Sequence, residues 1–235
     1  MTDVTDDLTA ELQAIAERAE AELAEASAED ALAWTEQTFG DKWIVAANMQ
    51  DAVLIDVAAA VRPNVDVLFL ETGYHFAETL GTRDAVATVY PRLTIVEAKA
   101  EQSVADQEAE FGLLNKTAPD RCCFLRKVVP LRQKLAGYHA WVTGVRRVDA
   151  PTRANTPIVT WDKGNGLVKV NPIAAWSDER FHAYIAEHGI LENPLVAAGY
   201  PSIGCEPCTA KPLPGTDPRS GRWAGLAKTE CGLHT

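Results

Sequence analysis

Residues 43–73 decide the fold class, and they read WIVAANMQDAVLIDVAAAVRPNVDVLFLETG. Two apolar runs, Trp43–Ala47 and Val65–Leu70, each have the length of a buried strand, and Asp51 to Val61 between them carries apolar residues at helical spacing. A strand, a helix and a second strand in this order form a βαβ unit with a right-handed crossover. The stretch therefore predicts an α/β protein.

The same alternation continues along the chain, with further strands predicted at Leu93–Val96, Ala140–Val145 and Leu167–Val170. Strands that alternate with helices favour a mostly parallel sheet flanked by helices. Ligands of such sheets bind at the carboxyl ends of the strands. The first of these ends opens a helix, whose free N–H groups suit a phosphate or sulfate. We expect the ligand site at Asn48-Met49-Gln50, Glu71-Thr72-Gly73 and Gly144-Val145-Arg146-Arg147.

Three segments that differ in composition and predicted secondary structure are expected within one domain. Residues 1–40 are predicted to form acidic N-terminal helices, with Ser27 capping the second helix and Asp30 completing its capping box. Residues 41–200 form the predicted α/β nucleotide-binding part. Residues 201–235 are a loop-rich C-terminal extension, since prolines recur beyond residue 149 and interrupt long periodic elements.

Charge is distributed unevenly along the 235 residues, whose net charge is −11. Residues 1–40 hold eleven acidic residues and one basic residue, whereas residues 121–235 hold fifteen Lys and Arg against nine Asp and Glu. The net charge argues against a nucleic-acid partner. The basic C-terminal half fits a small anionic ligand.

Location is predicted from what the sequence lacks. No basic run followed by an apolar stretch marks a signal peptide, and no apolar run reaches the length of a membrane span. An odd number of cysteines, five, is typical of a reducing compartment. We expect a cytoplasmic protein without a membrane partner; the sequence leaves the oligomeric state open, a homo-oligomer included.

Four of the five cysteines have the pattern of metal ligands. Cys122 and Cys123 are adjacent, and Cys205 and Cys208 form a Cys-x-x-Cys pair. Helical neighbours point about 100° apart, so two adjacent thiolates fit the separate iron corners of a [4Fe–4S] cluster better than a single tetrahedral zinc. The spacing favours the cluster, with structural zinc as the open alternative and a disulfide between the pairs as the weaker one.

The fifth cysteine, Cys231, lies four residues from the end of the chain, outside this set. Lys228 precedes it by three residues and His234 follows it by three. A nearby cation favours the thiolate, which is the nucleophilic form of cysteine. Cys231 is therefore the predicted catalytic nucleophile; the alternative is a tail thiol without a role.

A set of short motifs between Trp43 and the C-terminus resembles the assimilatory sulfonucleotide reductases, most closely the iron–sulfur adenylyl-sulfate (APS) reductases. The motifs are Cys122-Cys123, Arg126-Lys127, Gly144-Val145-Arg146-Arg147, Thr152-Arg153, Cys205-Glu206-Pro207-Cys208, Arg219-Ser220-Gly221-Arg222-Trp223 and Lys228-Thr229-Glu230-Cys231-Gly232-Leu233-His234.

The resemblance implies a Rossmann-like, adenine-nucleotide α-hydrolase-like fold and an oxidoreductase of sulfate assimilation and cysteine biosynthesis. It implies reduction of APS to sulfite and AMP by thioredoxin or a similar dithiol, through an S-sulfocysteine on Cys231. It places a [4Fe–4S] cluster on the four paired cysteines. The predicted substrate-binding residues are Lys127, Arg153, Arg219, Arg222 and His234, together with the strand-end residues Asn48, Thr72, Gly73 and Gly144.

One departure and several alternatives accompany this resemblance. The first turn is Ser- and Gly-rich in many relatives but is Ala47-Asn48-Met49-Gln50 here, which leaves backbone N–H groups rather than hydroxyls for substrate contacts. APS is expected to be preferred over its 3′-phosphorylated form, PAPS; a PAPS or dual reductase is the alternative. An iron–sulfur redox sensor is the non-enzymatic alternative. A tRNA thiolase would need a Ser-Gly-Gly-x-Asp-Ser-like loop, which the first turn lacks.

Overall fold

The computed structural model describes residues 3–226, 228 and 230–233. Within them, six strands form one sheet in the order β3-β2-β1-β4-β6-β5. All neighbours pair in parallel except β5 and β6, which are antiparallel. The strands are β1 (Trp43–Ala46), β2 (Asp66–Glu71), β3 (Thr94–Lys99), β4 (Ala140–Thr143), β5 (Val159–Asp162) and β6 (Leu167–Val170).

Helices cover both faces of this sheet, which confirms the predicted α/β class with a mostly parallel sheet. The helices of the described part are α1 (Asp3–Glu22), α2 (Ala28–Phe39), α3 (Val53–Val61), α4 (Ala77–Val89), α5 (Val104–Phe111), α6 (Leu114–Thr117), α7 (Pro119–Cys123), α8 (Val129–Leu135), α9 (Asp178–His188) and α10 (Pro194–Ala197). None of them combines the length and hydrophobicity that a membrane span requires.

The central strands are apolar because both of their faces are covered. Trp43, Val45 and Val142 belong to the larger core, which α2 and α3 also line. Ile44 and Trp141 point to the other face and pack with α8. The alternation of these side chains fixes the register of β1 against β4, since a one-residue slip would exchange the two cores.

The N-terminal helices share the larger core. Leu12, Ala16 and Ala19 of α1 are buried in it, and α1 packs against β5 and β6. Ser27 caps α2 by accepting from the N–H of Asp30, as predicted. Residues 1–40 thus cover one face of the sheet rather than standing apart, and the division into three segments stays a prediction.

Strand β5 was not predicted from the sequence. Its four residues follow Pro157 and pair only with β6, at the edge of the sheet. Asn165 and Gly166 close the hairpin by donating to Asp162, and Gly166 adopts the left-handed φ of 70° that this turn requires. Short edge strands carry a weak periodic signal, which explains the omission.

The strand order reverses between β1 and β4, where a crevice opens at the carboxyl ends of the strands. The C-terminal extension crosses this end of the molecule. Gln50, just after β1, donates to the carbonyl of Pro201 and accepts from the N–H of Ile203. Beyond β2, the carbonyl of Tyr74 accepts from the N–H of Glu206 at 2.7 Å. These bonds position the second cysteine pair beside the sheet.

Candidate active site

Two distant segments bring all four paired cysteines to one cavity, called here the thiol cavity. Cys122 and Cys123 end α7, and Cys205 precedes a 3-10 turn that Cys208 ends. All four line the cavity, and none is in a disulfide. The other lining residues are Thr72, Tyr74, Asn115, Pro119, Arg126, Lys127, Pro207 and Trp223.

Backbone hydrogen bonds fix the Cys-x-x-Cys loop from both sides. The N–H of Cys208 donates to the carbonyl of Cys205 at 3.0 Å. The N–H of Trp223 donates to the carbonyl of Cys208 at 2.9 Å. Thr209 Oγ1 also donates to the Cys205 carbonyl at 2.9 Å. The loop is therefore shaped by the chain itself, with both sulfurs facing the thiol cavity.

The donor set of this cavity fits an iron–sulfur cluster. All four cysteines line one space, and iron–sulfur clusters take thiolate ligands of this kind. Trp223 lines the same space, and its Nε1 is a buried donor without a hydrogen-bond partner in the described part of the chain. A cluster presents sulfur acceptors and one iron for each thiolate. Which metal group the four cysteines hold stays a prediction.

Burial disfavours the thiolate form of the first cysteine pair. Burial, with the neighbouring Cys205 and Cys208, raises the pKa of Cys122. Burial also raises the pKa of Cys123, to about 11. Grouped thiolates repel one another in a buried site, and metal binding is what stabilises such deprotonated sulfurs.

The helix that carries Cys122 and Cys123 changes its winding directly after them. Residues Phe124–Val128 form a π-helical turn, in which the N–H of Val129 donates to the carbonyl of Phe124. Pro130 explains the turn, because its ring has no N–H for the carbonyl of Arg126 and would clash with it in an α-helix. The wider turn directs both Arg126 and Lys127 into the thiol cavity.

Lys127 is a cation that lines the thiol cavity beside the four cysteines. Burial disfavours its charge, but the sulfurs of Cys205, Cys231 and Cys123 outweigh burial and raise its pKa. The predicted proximity of Lys127 to the first cysteine pair is therefore reproduced. Its role in substrate binding stays a prediction.

Arg126, which the predicted set of site residues omits, locks the turn after β2. It is buried and donates through Nε to the carbonyl of Thr72 and through Nη1 to Gln107 at 3.2 Å. Gly73 makes this fit possible: its φ is 75°, and a Cβ there would lie 2.6 Å from Val104 and 3.1 Å from Arg126. The Arg126-Lys127 motif alone could have drawn attention to it.

Thr72 belongs to the thiol cavity in this structure. Its Oγ1 lies 3.4 Å from Cys205 Sγ and accepts from the N–H of Tyr74 at 3.2 Å. Gly73 is exposed beside it, and its N–H donates to Glu71. Substrate binding by Thr72 and Gly73 stays a prediction; the side-chain contact that the structure gives Thr72 is to Cys205.

The three predicted arginines gather in a cleft next to the thiol cavity, called here the arginine cleft. Arg219 and Arg222 line it together with Lys228 and Glu230. Arg153 reaches it through Glu230, to which it donates at 3.0 Å and 3.2 Å. Trp223 lines both the cleft and the thiol cavity, so the two spaces share a wall.

Arg222 is held rigidly in that wall. It donates to the carbonyl of Ile203 at 3.1 Å, stacks over Trp223 and fills the space beside Gly204, where a Cβ would lie 2.1 Å from Nη2. Burial and the neighbouring Arg219 lower its pKa. Its Nε has no partner among the described residues, so it is a buried donor available to an anion.

Cys231 is partly buried and directly follows Glu230, which lines the arginine cleft. Its thiol interacts electrostatically with Lys127 and Arg222. The cations predicted from the sequence to act on Cys231 are Lys228 and His234. Lys228 is engaged elsewhere, with Asp120 and over the ring of Trp223, and His234 lies outside the described residues. Lys127 and Arg222 come from other segments of the chain, and the pairing of Cys231 with Lys228 and His234 stays a prediction.

The strand-end residues Asn48 and Gly144 line neither space. Both are exposed at the crevice between β1 and β4. Gly144 lies between the side chains of Leu54 and Ile173, 3.7 Å and 3.9 Å from the place of a Cβ. Asn48 accepts from the N–H of Gln50 within its own turn. If Asn48 and Gly144 contact the substrate as predicted, they would contact a different part of it from the part that the arginines contact.

Asp51, two residues before α3, is a half-buried carboxyl that the sequence did not single out. Burial raises its pKa to about 6; the N–H of Val53 opposes this shift and Glu192 adds to it. A raised pKa means that the protonated carboxyl favours the folded state. Its contribution is complete below pH 4 and is lost as the pH rises through about 6.

We expect Asp51→Asn to stabilise the protein at pH 7 by about 1–3 kcal/mol, since the amide oxygen can still accept from Val53 and no charge is buried. Thermal unfolding of variant and wild type at pH 7 and pH 5 measures this. The difference should shrink by about half at pH 5. A variant less stable than the wild type at pH 7 would contradict the assignment.

The chain is similar to known proteins over most of its length. Residues 42–211 match the family model described as the phosphoadenosine phosphosulfate reductase domain. The chain is 63% identical over 235 residues to the adenosine 5′-phosphosulfate reductase of Mycolicibacterium smegmatis, covering 100% of this chain and 99% of that protein. It is 65% identical over 224 residues to the protein of that name from Mycobacteroides abscessus, covering 95% and 94%.

Solved structures agree on the fold. The phosphoadenylyl-sulfate (PAPS) reductase of Candida auris, in a phosphate complex, superposes with a TM-score of 0.69 at 27% identity, covering 81% of this chain and 94% of that one. The FMN adenylyltransferase of Candida glabrata reaches a TM-score of 0.56 at 13% identity, over 87% and 74% of the two chains, and shares the fold alone. The family resemblance read from the motifs is confirmed: the chain belongs to the phosphoadenosine phosphosulfate reductase domain family.

Proposed function

We propose that this protein is an oxidoreductase of sulfate assimilation that reduces adenylyl sulfate to sulfite and AMP, with thioredoxin or a similar dithiol as reductant. The observation that carries the proposal is Cys231, a partly buried thiol outside the four-cysteine set, which follows Glu230 of the arginine cleft and interacts electrostatically with Lys127 and Arg222. The relatives named adenosine 5′-phosphosulfate reductase support the choice of substrate.

The first step is attack of the Cys231 thiolate on the sulfur of the sulfate group. An S–S bond forms, the bond between that sulfur and the bridging oxygen breaks, and AMP leaves with the electron pair. The product is an S-sulfocysteine. Lys127 and Arg222 stabilise the anionic thiolate and the anionic substrate when both are brought together.

The second step has the form of thiol–disulfide exchange. A thiolate of the reductant attacks Cys231 Sγ, and sulfite leaves with the electrons of the S–S bond. The second thiol of the reductant then resolves the mixed disulfide and restores Cys231. The dithiol supplies two electrons and becomes a disulfide, so the reaction is balanced.

The four paired cysteines would hold a [4Fe–4S] cluster. With four protein ligands the cluster has no open iron, so it would supply folding stability and an electrostatic field beside Lys127. The roles of Arg153, Arg219 and Arg222 are to bind the phosphosulfate, and their fork geometry suits its oxygens. Asn48 and Gly144 would contact the nucleotide at the crevice between β1 and β4.

Incubation of the purified protein with adenylyl sulfate, thioredoxin and a reductant tests the function directly. One sulfite should form for each AMP that is released. PAPS should give a lower kcat/KM than adenylyl sulfate; the reverse order would make the chain a PAPS reductase. Absence of sulfite from both, with a cluster whose oxidation changes partner binding, would support the redox-sensor alternative.

A further inference from the structure

The carboxylate of Glu230, the residue before Cys231, is bound between two arginines. Arg153 donates to it through Nε at 3.2 Å and through Nη2 at 3.0 Å, and Arg219 donates through Nη2 at 3.2 Å. All three side chains are about four-fifths buried, with exposed fractions of 15%, 18% and 21% for Arg153, Arg219 and Glu230. The contact with Arg153 has the two-pronged form that guanidinium groups also make with phosphate and sulfate.

This contact uses the donors that an anionic ligand would need. Two of the three nitrogens of Arg153 face Glu230, and the third, Nη1, lies 3.5 Å from Asp149. A guanidinium has no acceptors and a fixed number of N–H groups. A phosphosulfate therefore cannot take the Nε–Nη2 edge of Arg153 while Glu230 occupies it.

The same short segment is attached on its other side by a second ion pair. Lys228 contacts Asp120, two residues before Cys122, and lies over the ring of Trp223. Lys228 and Glu230 thus bind different parts of the molecule on either side of the C-terminal segment. Release of Glu230 alone would free the side of the segment that faces the arginine cleft.

We propose that Arg153 and Arg219 form the site for an anionic group of the substrate. The carboxylate of Glu230 occupies this site in the free protein, and the substrate displaces it. Before substrate binds, the Glu230 carboxylate neutralises Arg153 and Arg219 and holds Cys231 in its partly buried position. When the anionic group of the substrate takes the two arginines, Glu230 leaves them and the segment carrying Cys231 is released. The proposal rests on the proposed function, because it assigns this anion to adenylyl sulfate.

Affinity for the nucleotide tests the competition. Cys231→Ser provides a background that cannot turn over, and calorimetry measures its affinity for adenylyl sulfate and for AMP. Adding Glu230→Gln should tighten binding of adenylyl sulfate roughly three- to tenfold, since each partly exposed ion pair accounts for at most about a factor of five. Glu230→Asp keeps the charge and should bind like the background.

Asp120→Asn is the matched control, because it removes one negative charge and one attachment of the same segment without touching the arginines. It should change the affinity by less than about twofold. Equal tightening by Asp120→Asn would attribute the effect to net charge and overturn the proposal. Unchanged or weaker binding by Glu230→Gln would overturn it too, while leaving the proposed function intact. If no variant binds the nucleotide and the wild type forms no sulfite, both the proposal on Glu230 and the proposed function are contradicted.

Alkylation of Cys231 gives a second measurement that needs no nucleotide. With Cys231 intact, Glu230→Gln should react with iodoacetamide several-fold faster than the wild type, because the contact that holds the segment is lost. Glu230→Asp should react at the wild-type rate. Equal rates for Glu230→Gln and the wild type would show that Glu230 does not hold the segment and would contradict its release on displacement.

Discussion

Replacement of Cys231 by serine is expected to reduce sulfite formation roughly 10³-fold or more, because a neutral hydroxyl is a far weaker nucleophile than a thiolate. The metal content should not change, since the four paired cysteines remain. Nucleotide affinity should also persist, because Arg153, Arg219 and Arg222 are still in place. Initial rates with adenylyl sulfate and thioredoxin measure the loss.

Intact mass spectrometry makes the same prediction specific to one atom. The wild type, incubated with adenylyl sulfate and no reductant, should gain one SO₃ group on Cys231, and thioredoxin should remove it. Cys231→Ser and Cys231→Ala should gain none. Addition of the group to Cys123 or Cys208, or wild-type rates in Cys231→Ser, would assign the nucleophile elsewhere.

Much of the fold was predictable because its signals are local. The apolar run around Ile44 and Val45, the helix to Val61 and the run at Val67–Phe69 each specify their own element, and the βαβ rule then orders them. The cap at Ser27 is likewise a three-residue pattern. Strand β5 was not predicted, because an edge strand of four residues is defined by its partner β6 rather than by its own periodicity.

The candidate site was predictable in its residue types but not in its contacts. Cysteine spacing identified two pairs, and the structure brings them to one cavity. The spacing of the tail could not indicate that Lys127 of the π-helical turn and Arg222 beside Trp223 also act electrostatically on Cys231. The role of Glu230 was likewise hidden: no local pattern indicates that a tail carboxylate meets Arg153, which is 77 residues away.

Loss of any one of the four paired cysteines is expected to have the largest effect on the fold. The wild type should be brown and hold about four irons per chain. Cys122→Ser, Cys123→Ser, Cys205→Ser and Cys208→Ser should each lose the colour, and the thermal midpoint should fall by about 10 °C or more, as the loss of ~3–5 kcal/mol would cause in a chain of this size. Elemental analysis and thermal unfolding measure both.

The ranking of these variants separates metal ligation from ordinary packing. Cys205 is buried and contacts Thr72, whereas Cys208 is more exposed. If the thiols merely filled space, Cys205→Ser would destabilise far more than Cys208→Ser, because a buried contact costs more to lose. If both hold one cluster, the two losses should be similar, since each removes the whole group. A colourless wild type with stoichiometric zinc would replace the cluster by a structural zinc site, and unequal losses without any metal would leave the four thiols as packing residues.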